Sequence, residues 1–246
     1  MNIEKPWVLQ SFIVPICRIS KSNRNVDFLY GTAFFTNVLG VFITAKHVIQ
    51  DMLTAQQQEQ DPTKLYGLNV KGSDGGNLFV MIDVYEFHPN HDIAIGRVNF
   101  DVKSPIKLMQ GKRSILQDVW TVGYPANALD IDMITKTHWI GLRGHKGYIS
   151  RYESFGIKNS LYNPSCSELS FRIDLGMSGS PLFINNNYTV GGICIGTRTS
   201  DEHIYSVNKN EKVPQLFEYG IAVMTCELKS WVPDFLENSD ELFQKE

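Results

Sequence analysis

The feature that most limits how this chain can fold is a long succession of short apolar runs separated by turn chemistry. In the first hundred residues the runs fall around WVLQSFIVPICRI (7–19), DFLYGTAFFTN (27–37), FITAKHVI (42–49), LYGLNVKG (65–72) and NLFVMIDVYEF (77–87), with SDGG between the last two. Further runs follow at DVWTVGYP (118–125), THWIGLRG (137–144), HKGYISRY (145–152), LSFRIDL (169–175), SPLFIN (180–185), YTVGGICIG (188–196) and YGIAVMT (219–225). Short strands at short intervals, with Gly, Asn and Asp between them, favour closed antiparallel barrels over an α/β layering, so the chain reads as all-β. At 246 residues and 43% hydrophobic composition it can fill one large core or two small ones. The polar, proline-containing stretch 101–118, with Pro105 and GKRS, is the natural link between two units, 1–105 and 106–246. Only two segments invite helix: the Gln-rich 50–64, read as a short helix or loop ended by Pro62, and the tail SWVPDFLENSDELFQKE, read as a closing helix packed on the barrel or an amphipathic partner segment.

One run stands apart in its small residues. In DLGMSGSPLF (174–183), Gly176 and Gly179 flank Ser178, and Ser180 and Pro181 follow. Such a segment turns tightly and can aim backbone N–H groups at one point. If the amides of Gly176 and Ser178 converge there, they form an oxyanion hole beside the Ser178 hydroxyl. That hydroxyl is a poor nucleophile without an imidazole to take its proton and a carboxylate to orient the imidazole. Two upstream strand ends supply such groups: GVFITAKHVI delivers His47, and HPNHDIAIGRV delivers Asp92 after a polar turn. The order is therefore His, Asp, Ser, unlike the Ser, Asp/Glu, His order of α/β-hydrolases, whose G-x-S-x-G elbow is also broken here by Ser180.

The segments TAKH (44–47), DIAIGRV (92–98), VGYP (122–125), HKGYIS (145–150), GMSGSP (176–181) and VGGICIGT (190–197) together resemble the chymotrypsin-like (trypsin-like) serine proteases, closest to their disulfide-free bacterial branch. The resemblance implies two antiparallel six-stranded β-barrels of chymotrypsin type with a short C-terminal helix. It makes His47 the general base, Asp92 its orienting carboxylate and Ser178 the nucleophile, with the site on the seam between an N-terminal barrel (1–105) and a C-terminal one (106–246). It also places the strand Ile193–Thr197 beside a bound peptide, paired by strand addition. The specificity pocket would be drawn from the segment before Ser178, including Arg172 and Asp174, from Cys194, Ile195, Gly196 and Thr197, and from Gly220. By ungapped counting Arg172 takes the pocket floor, which suggests a preference for acidic residues, whereas Asp174 pairing with Arg172, or exposure of Arg172, would remove it. Two departures matter: Met177 stands where the digestive enzymes carry an activating aspartate, and Ile195 where a serine commonly steadies the triad carboxylate. Asp92 then needs other donors, such as the backbone near His47 or the hydroxyl of Thr44.

Charge and cysteines narrow the class further. A net charge of −3 with 23 basic residues gives no nucleic-acid patch. No signal-like start and no membrane-length apolar run occur, which points to a soluble, cytoplasmic protein. Cys17, Cys166, Cys194 and Cys226 lack C-x-x-C spacing and read as buried thiols in a reducing compartment. His88 and His91 make an H-x-x-H pair in a turn, a poor metal site without a third ligand, so neither metal nor cofactor is expected; His138, His145 and His203 read as ordinary. The expected function is a serine endopeptidase acting on a protein or peptide, with narrow specificity or a regulatory partner restraining it. The alternatives are a catalytically idle peptide-binding module and an esterase with the same chemistry.

Overall fold

A computed structural model describes residues 6–71, 76–102, 104–111, 113–131, 138–154, 165–184, 187–206, 211–237 and 242–243. After a single helical turn, α1 (Pro6–Leu9), the chain forms β1 (Ile13–Ser20), β2 (Val26–Phe35), β3 (Val41–Thr44), helix α2 (Lys46–Glu59), β4 (Lys64–Lys71), β5 (Asn77–Val80), β6 (Val84–Phe87) and β7 (Ala94–Arg97). These strands make one antiparallel sheet in the order β5-β4-β1-β2-β3-β7-β6. Pro15 is tolerated inside β1 because it lies opposite Thr32 of β2, while pairing with β4 begins only at Ile16, so its missing N–H costs no ladder bond on that side. The helix in α2 begins at Lys46, four residues earlier than the Gln-rich stretch alone suggests, and it buries Val48, Ile49 and Met52 against the sheet. Gln60 in a left-handed conformation (φ 45°) ends it, its N–H returning to the Gln56 carbonyl.

The second sheet contains β8 (Lys107–Leu108), β9 (Asp118–Gly123), β12 (Arg143–Ser154), β13 (Ser165–Leu169), β14 (Pro181–Ile184), β15 (Thr189–Ser206) and β16 (Glu211–Met224), with a separate ribbon of β10 (Leu129–Ile131) and β11 (His138–Ile140). Its order β14-β9-β12-β13-β16-β15 closes on itself through β14–β15 pairing, a six-stranded barrel, and β8 adds in parallel at the Thr189–Val190 end of β15. The stretch read as a linker is thus tied to the second barrel. The run LSFRIDL is strand only as far as Leu169; from Phe171 it leaves the sheet toward the nucleophile turn.

The protein is mostly β, with a chymotrypsin-like pair of barrel-like sheets, one closed and one a half-barrel. The first sheet has seven strands, and among the described residues its end strands β5 and β6 do not pair. Both ends are four-residue strands with largely exposed or half-buried side chains, too short to close a seam. The C-terminal segment serves the open side: Asp234 N–H donates to Glu86 Oε1 of β6 (2.7 Å), and the Arg97 guanidinium of β7 lies over the Phe235 ring. Helical structure near this end is a 3-10 segment, Thr225–Ser230, and not the tail that follows it: residues 231–237, which hold Pro233, contain no helix, although Leu236, Leu242 and Phe243 are buried. One apolar core runs across the seam, joining Phe34 and Phe42 of the first sheet and Val48 of α2 to Phe183, Val190 and Val223 of the second sheet. A second core, including Val119, Leu182, Met177 and Cys194, fills the closed barrel.

Candidate active site

His47 is carried on the first turn of α2, just after the β3 edge, and Asp92 lies just before β7, the strand paired with β3. This neighbourhood brings Asp92 Oδ2 to 2.6 Å from His47 Nδ1 and lets Asp92 Oδ1 accept the His47 backbone N–H at 2.9 Å. The helix has Ala45 as its N-cap, with no side-chain cap bond. Asp92 fills that role from the loop before β7, satisfying an orphan N–H at the positive end of the helix while it holds the imidazole. With the carboxylate at Nδ1, the neutral ring keeps its proton there and presents Nε2 as the base. Burial pulls the imidazole pKa down, but the bond and charge of Asp92, with the charge of Asp51, overcompensate and hold it above the usual 6.5. Thr44 does not serve Asp92; its hydroxyl donates to the Thr32 carbonyl at 2.7 Å.

Ser178 stands at the head of a turn in which Gly176 (φ 91°) and Gly179 (φ 88°) adopt conformations that side chains strain. A Cβ on Gly179 would lie 2.0 Å from the Thr32 carbonyl oxygen, and one on Gly176 2.5 Å from the Ala126 amide nitrogen. The peptides around Ser178 are pinned one by one. The Leu175 carbonyl accepts from Ala126 N–H (2.7 Å), the Gly176 carbonyl from Thr32 Oγ1 (3.0 Å), and the Met177 carbonyl from Ser180 N–H (3.0 Å). A trans peptide points its N–H opposite its C=O, so the Gly176 and Ser178 amides face away from these partners, and neither has a protein acceptor among the described residues. Met177, fully buried, fills the closed barrel beneath the turn, in place of an ion-paired aspartate.

Thr32 is the residue that sequence reading missed. It is fully buried and ties the nucleophile turn to its surroundings: its N–H donates to the Ser178 carbonyl (2.8 Å), its hydroxyl donates to the Gly176 carbonyl and accepts from Tyr124 N–H (2.9 Å), and its carbonyl takes the Thr44 hydroxyl. Its neighbour Gly31 leaves the room; a Cβ there would fall 2.5 Å from a Val48 methyl and 2.9 Å from the Ser178 carbonyl oxygen. The available signal was the Gly-Thr pair set inside the otherwise bulky run DFLYGTAFF.

The Ser178 hydroxyl itself donates to the Ile195 carbonyl at 3.2 Å, and among the described residues no hydrogen bond joins it to His47. Ile195 belongs to β15, whose Cys194 ties the turn further: Gly179 N–H donates to the Cys194 carbonyl (2.7 Å) and Cys194 N–H to the Ser180 carbonyl (2.9 Å). The Cys194 thiol faces the closed barrel, near Thr121 Oγ1, away from the cavity beside the turn. The residues expected at the pocket are partly assembled. A cavity of about 330 Å³ beside the turn is lined by Ala126, Arg143, Arg172, Asp174, Thr197 and Glu218, among others. Arg172, 57% exposed, gives its guanidinium to Asp174 (3.0 Å) and Glu218 (3.2 Å), so the basis for an acidic preference is neutralised. Asp174 also takes Arg143 (2.8 Å) and His145 (3.2 Å). Burial raises its pKa, but these hydrogen bonds and the nearby cations keep its carboxyl below the usual range. The Thr197 hydroxyl bonds both N–H and C=O of Ile173 in the cavity wall, whereas Gly220 donates its N–H to the Phe171 carbonyl and is not among the cavity's lining residues. Gly196, with φ 150° at a bulge in β15, has nothing within 4 Å of where a Cβ would stand. The imidazoles of His88 and His91 lie 4.5 Å apart beneath Trp231, and no set of metal-ligating side chains forms among the described residues; the side chains of His138 and His203 lie outside them.

The family model of the trypsin-like peptidase domain matches residues 31–193, a span that holds His47, Asp92 and Ser178. This chain belongs to the trypsin-like peptidase family. No curated protein sequence matches it significantly. Solved trypsin-like folds do: the active form of the Rv3671c protease from M. tuberculosis is 16% identical with a TM-score of 0.56, over 92% of this chain and 81% of that one. Neuropsin, a serine protease of mouse brain, is 12% identical with a TM-score of 0.56, over 90% and 92% of the two chains. The MamO protease domain of Magnetospirillum magneticum is 12% identical with a TM-score of 0.52, over 92% and 98%. At these identities the likeness is one of fold. The chain is a trypsin-like peptidase without disulfides among its cysteines, as in the bacterial branch of the family.

Proposed function

We propose that this trypsin-like peptidase is a serine endopeptidase whose working groups are His47, Asp92 and Ser178. The observation that carries the reading is the 2.6 Å His47–Asp92 bond set across the seam from a pinned turn whose Gly176 and Ser178 amides have no protein acceptor. In the reaction the Ser178 hydroxyl turns from the Ile195 carbonyl toward His47, a side-chain rotation of the ordinary fast kind. Oγ attacks the peptide carbonyl as its proton passes to His47 Nε2, and the developing oxyanion meets the two amides. His47 then protonates the departing amine; water, activated by the same imidazole, releases the acyl group from Ser178. Asp92 stabilises the imidazolium without taking its proton. No step calls for a cofactor.

A second reading is favoured by one observation, the bond from Ser178 to Ile195 in place of His47: the fold then binds a peptide and leaves it intact. The same bond supports restraint of an active enzyme, released by substrate or by a regulatory protein. Labelling of the purified protein with a fluorophosphonate, beside Ser178→Ala and His47→Ala, separates these. Labelling of the wild type alone supports the peptidase, and subsequent turnover of peptides rather than esters only sets it apart from an esterase. A folded wild type that takes no label, alone or with candidate partners, overturns it in favour of the binding module.

A further inference from the structure

The peptide that carries the Gly176 N–H is held unevenly on its two sides. After it, Met177 is buried in the closed barrel and Thr32 Oγ1 holds the Gly176 carbonyl. Before it stands Leu175, whose side chain is 85% exposed and too far from any core to anchor the turn. A trans peptide turns as one plate, so the direction of the Gly176 N–H depends on what grips the Leu175 carbonyl and the residue preceding it. The Leu175 carbonyl accepts Ala126 N–H at 2.7 Å. The residue preceding it is Asp174, and its side chain is only 10% exposed.

The Asp174 carboxylate is gripped from several directions. Oδ2 accepts from Arg143 Nη1 (2.8 Å) and His145 Nε2 (3.2 Å), and Oδ1 accepts from Arg172 Nε (3.0 Å). Its backbone carbonyl accepts Met177 N–H (2.9 Å), closing a turn around Leu175 and Gly176. Arg143 and His145 lie two apart on β12 and so share one face of the strand. They pair with Gly123 and Thr121 of β9, and the chain runs on from Gly123 through Tyr124 and Pro125 to Ala126. The end of one ribbon thus holds both the Asp174 carboxylate and the Leu175 carbonyl. His145 is steadied in turn by the Phe171 ring, stacked at 5.9 Å and 11°.

Building on the peptidase reading, we propose that Asp174 is a positioning residue for the oxyanion hole: its carboxylate, clasped by Arg143 and His145 of β12, fixes the direction of the Gly176 N–H. The clasp supplies by charge the anchorage that Leu175 cannot supply by packing. Asp174 then belongs to the turn rather than to substrate recognition, since both of its oxygens are taken by cations of its own chain. An amide aimed before the oxyanion forms favours the transition state over the bound substrate, so loosening the clasp lowers kcat and spares KM.

The test compares the wild type with Asp174→Asn, which keeps the shape and removes the charge, and with Arg143→Met, on a fluorogenic peptide cut from the fastest cleavage site in denatured casein. Asp174→Asn should lower kcat about 100-fold, the scale of one lost oxyanion donor, with KM within about threefold of the wild type. A boronate of the same peptide, which adds to Ser178 and sets an oxygen at the oxyanion point, should lose affinity by a similar factor. The unmodified peptide should bind Ser178→Ala equally well with and without Asp174→Asn, read by fluorescence anisotropy. Arg143→Met should lower kcat part of the way and add little to Asp174→Asn, because the two act through one contact. Wild-type kcat in Asp174→Asn, a raised KM at unchanged kcat, or equal weakening of boronate and peptide overturns the inference. Should Asp174→Asn not fold, Arg143→Met and His145→Gln carry the same comparison.

A second readout needs no turnover. In protein made with isotope-labelled glycine, Arg143→Met, whose bond to the turn passes through Asp174, should broaden or move the Gly176 amide resonance more than that of Gly179, which donates to the Cys194 carbonyl. A Gly176 resonance as sharp and as placed as in the wild type overturns the clasp. A wild type that takes no fluorophosphonate label overturns the peptidase reading, and the glycine resonances still decide whether Asp174 holds the turn.

Discussion

At the scale of single residues, Thr32 decides more than its size suggests. Replacing it by the near-isosteric valine leaves the Tyr124 N–H and the Gly176 carbonyl buried without partners. Each such group costs about 1–3 kcal/mol, so urea unfolding of Thr32→Val should show a loss of roughly 2–6 kcal/mol, with kcat falling because the Gly176 peptide is released. The imidazole gives a second prediction. Catalysis needs His47 neutral and its pKa is held above 6.5, so kcat/KM should climb with pH through that raised value. Stability should move the other way: a folded-state pKa above the unfolded one stabilises fully at low pH and loses that contribution as pH rises through the raised value. Asp92→Asn should lower the inflection of the pH–rate profile and reduce kcat by about 10⁴-fold. Three residues bearing this chemistry could be picked from the sequence because a nucleophilic hydroxyl, a base and a carboxylate each leave a local mark: glycines around Ser178, small residues before His47, a polar turn before Asp92. Thr32 leaves only the Gly-Thr pair inside a bulky run, because its importance lies in partners more than ninety residues away, such as Tyr124 and Gly176.

At the scale of elements, the loop from His88 to Asp92 couples acid to the site. His88 is buried, and its Nδ1 accepts the N–H groups of both Asn90 and His91 at 3.1 Å. A protonated ring would turn that acceptor into a donor facing two donors. Burial, then the neighbouring His91 and Lys46, push its pKa down to about 4, and burial lowers His91 as well, against the opposing pull of Glu227. For a group neutral in the folded state, stability is complete above the unfolded value near 6.5 and is lost as pH falls toward the folded one. Between pH 6.5 and about 4 the wild type should lose up to about 1.4 kcal/mol per pH unit relative to His88→Gln, read from urea midpoints of the two proteins side by side. A constant difference across that range would remove His88 as the sensor. The sequence showed this pair only as an H-x-x-H spacing, since burial beneath Trp231 depends on where the chain's end returns. The element boundaries behaved similarly. Short apolar runs located β1, β2, β9 and β14, whereas the start of α2 was hidden because its cap comes from Asp92 and not from a Ser, Thr or Asn of its own. The length of β15 was hidden too, since its outer half pairs with β16 outside the barrel and carries no core pattern.

At the scale of the whole molecule, the cysteines should be silent. Cys17, Cys166 and Cys194 are buried, and burial raises their thiols, Cys194 to about 11 and Cys166 to about 12. A Cys226→Ser variant should therefore react with a disulfide reagent at pH 7.5 only at the rate of unfolding, and reductant should leave the Tm of the wild type unchanged. The strand count made the all-β class legible, and the family resemblance carried by the segments around His47, Asp92 and Ser178 implied two sheets meeting at a seam. Closure of one sheet and opening of the other were not, because that depends on whether end strands reach each other, a matter of twist and strand length rather than of pattern. The order of the parts along the chain has its own outcome during synthesis. His47 and Asp92 emerge from the ribosome early, but β13 finds its second neighbour only in β16, and the turn bearing Ser178 is strapped down by Cys194 of β15, the strand β16 must flank. A nascent chain shorter than about residue 224 carries His47, Asp92 and Ser178 but lacks part of the strand that flanks β15 and β13. On the peptidase reading, a copy still being made would therefore hold the chemistry without the frame, and would leave its surroundings uncut until β16 is in place.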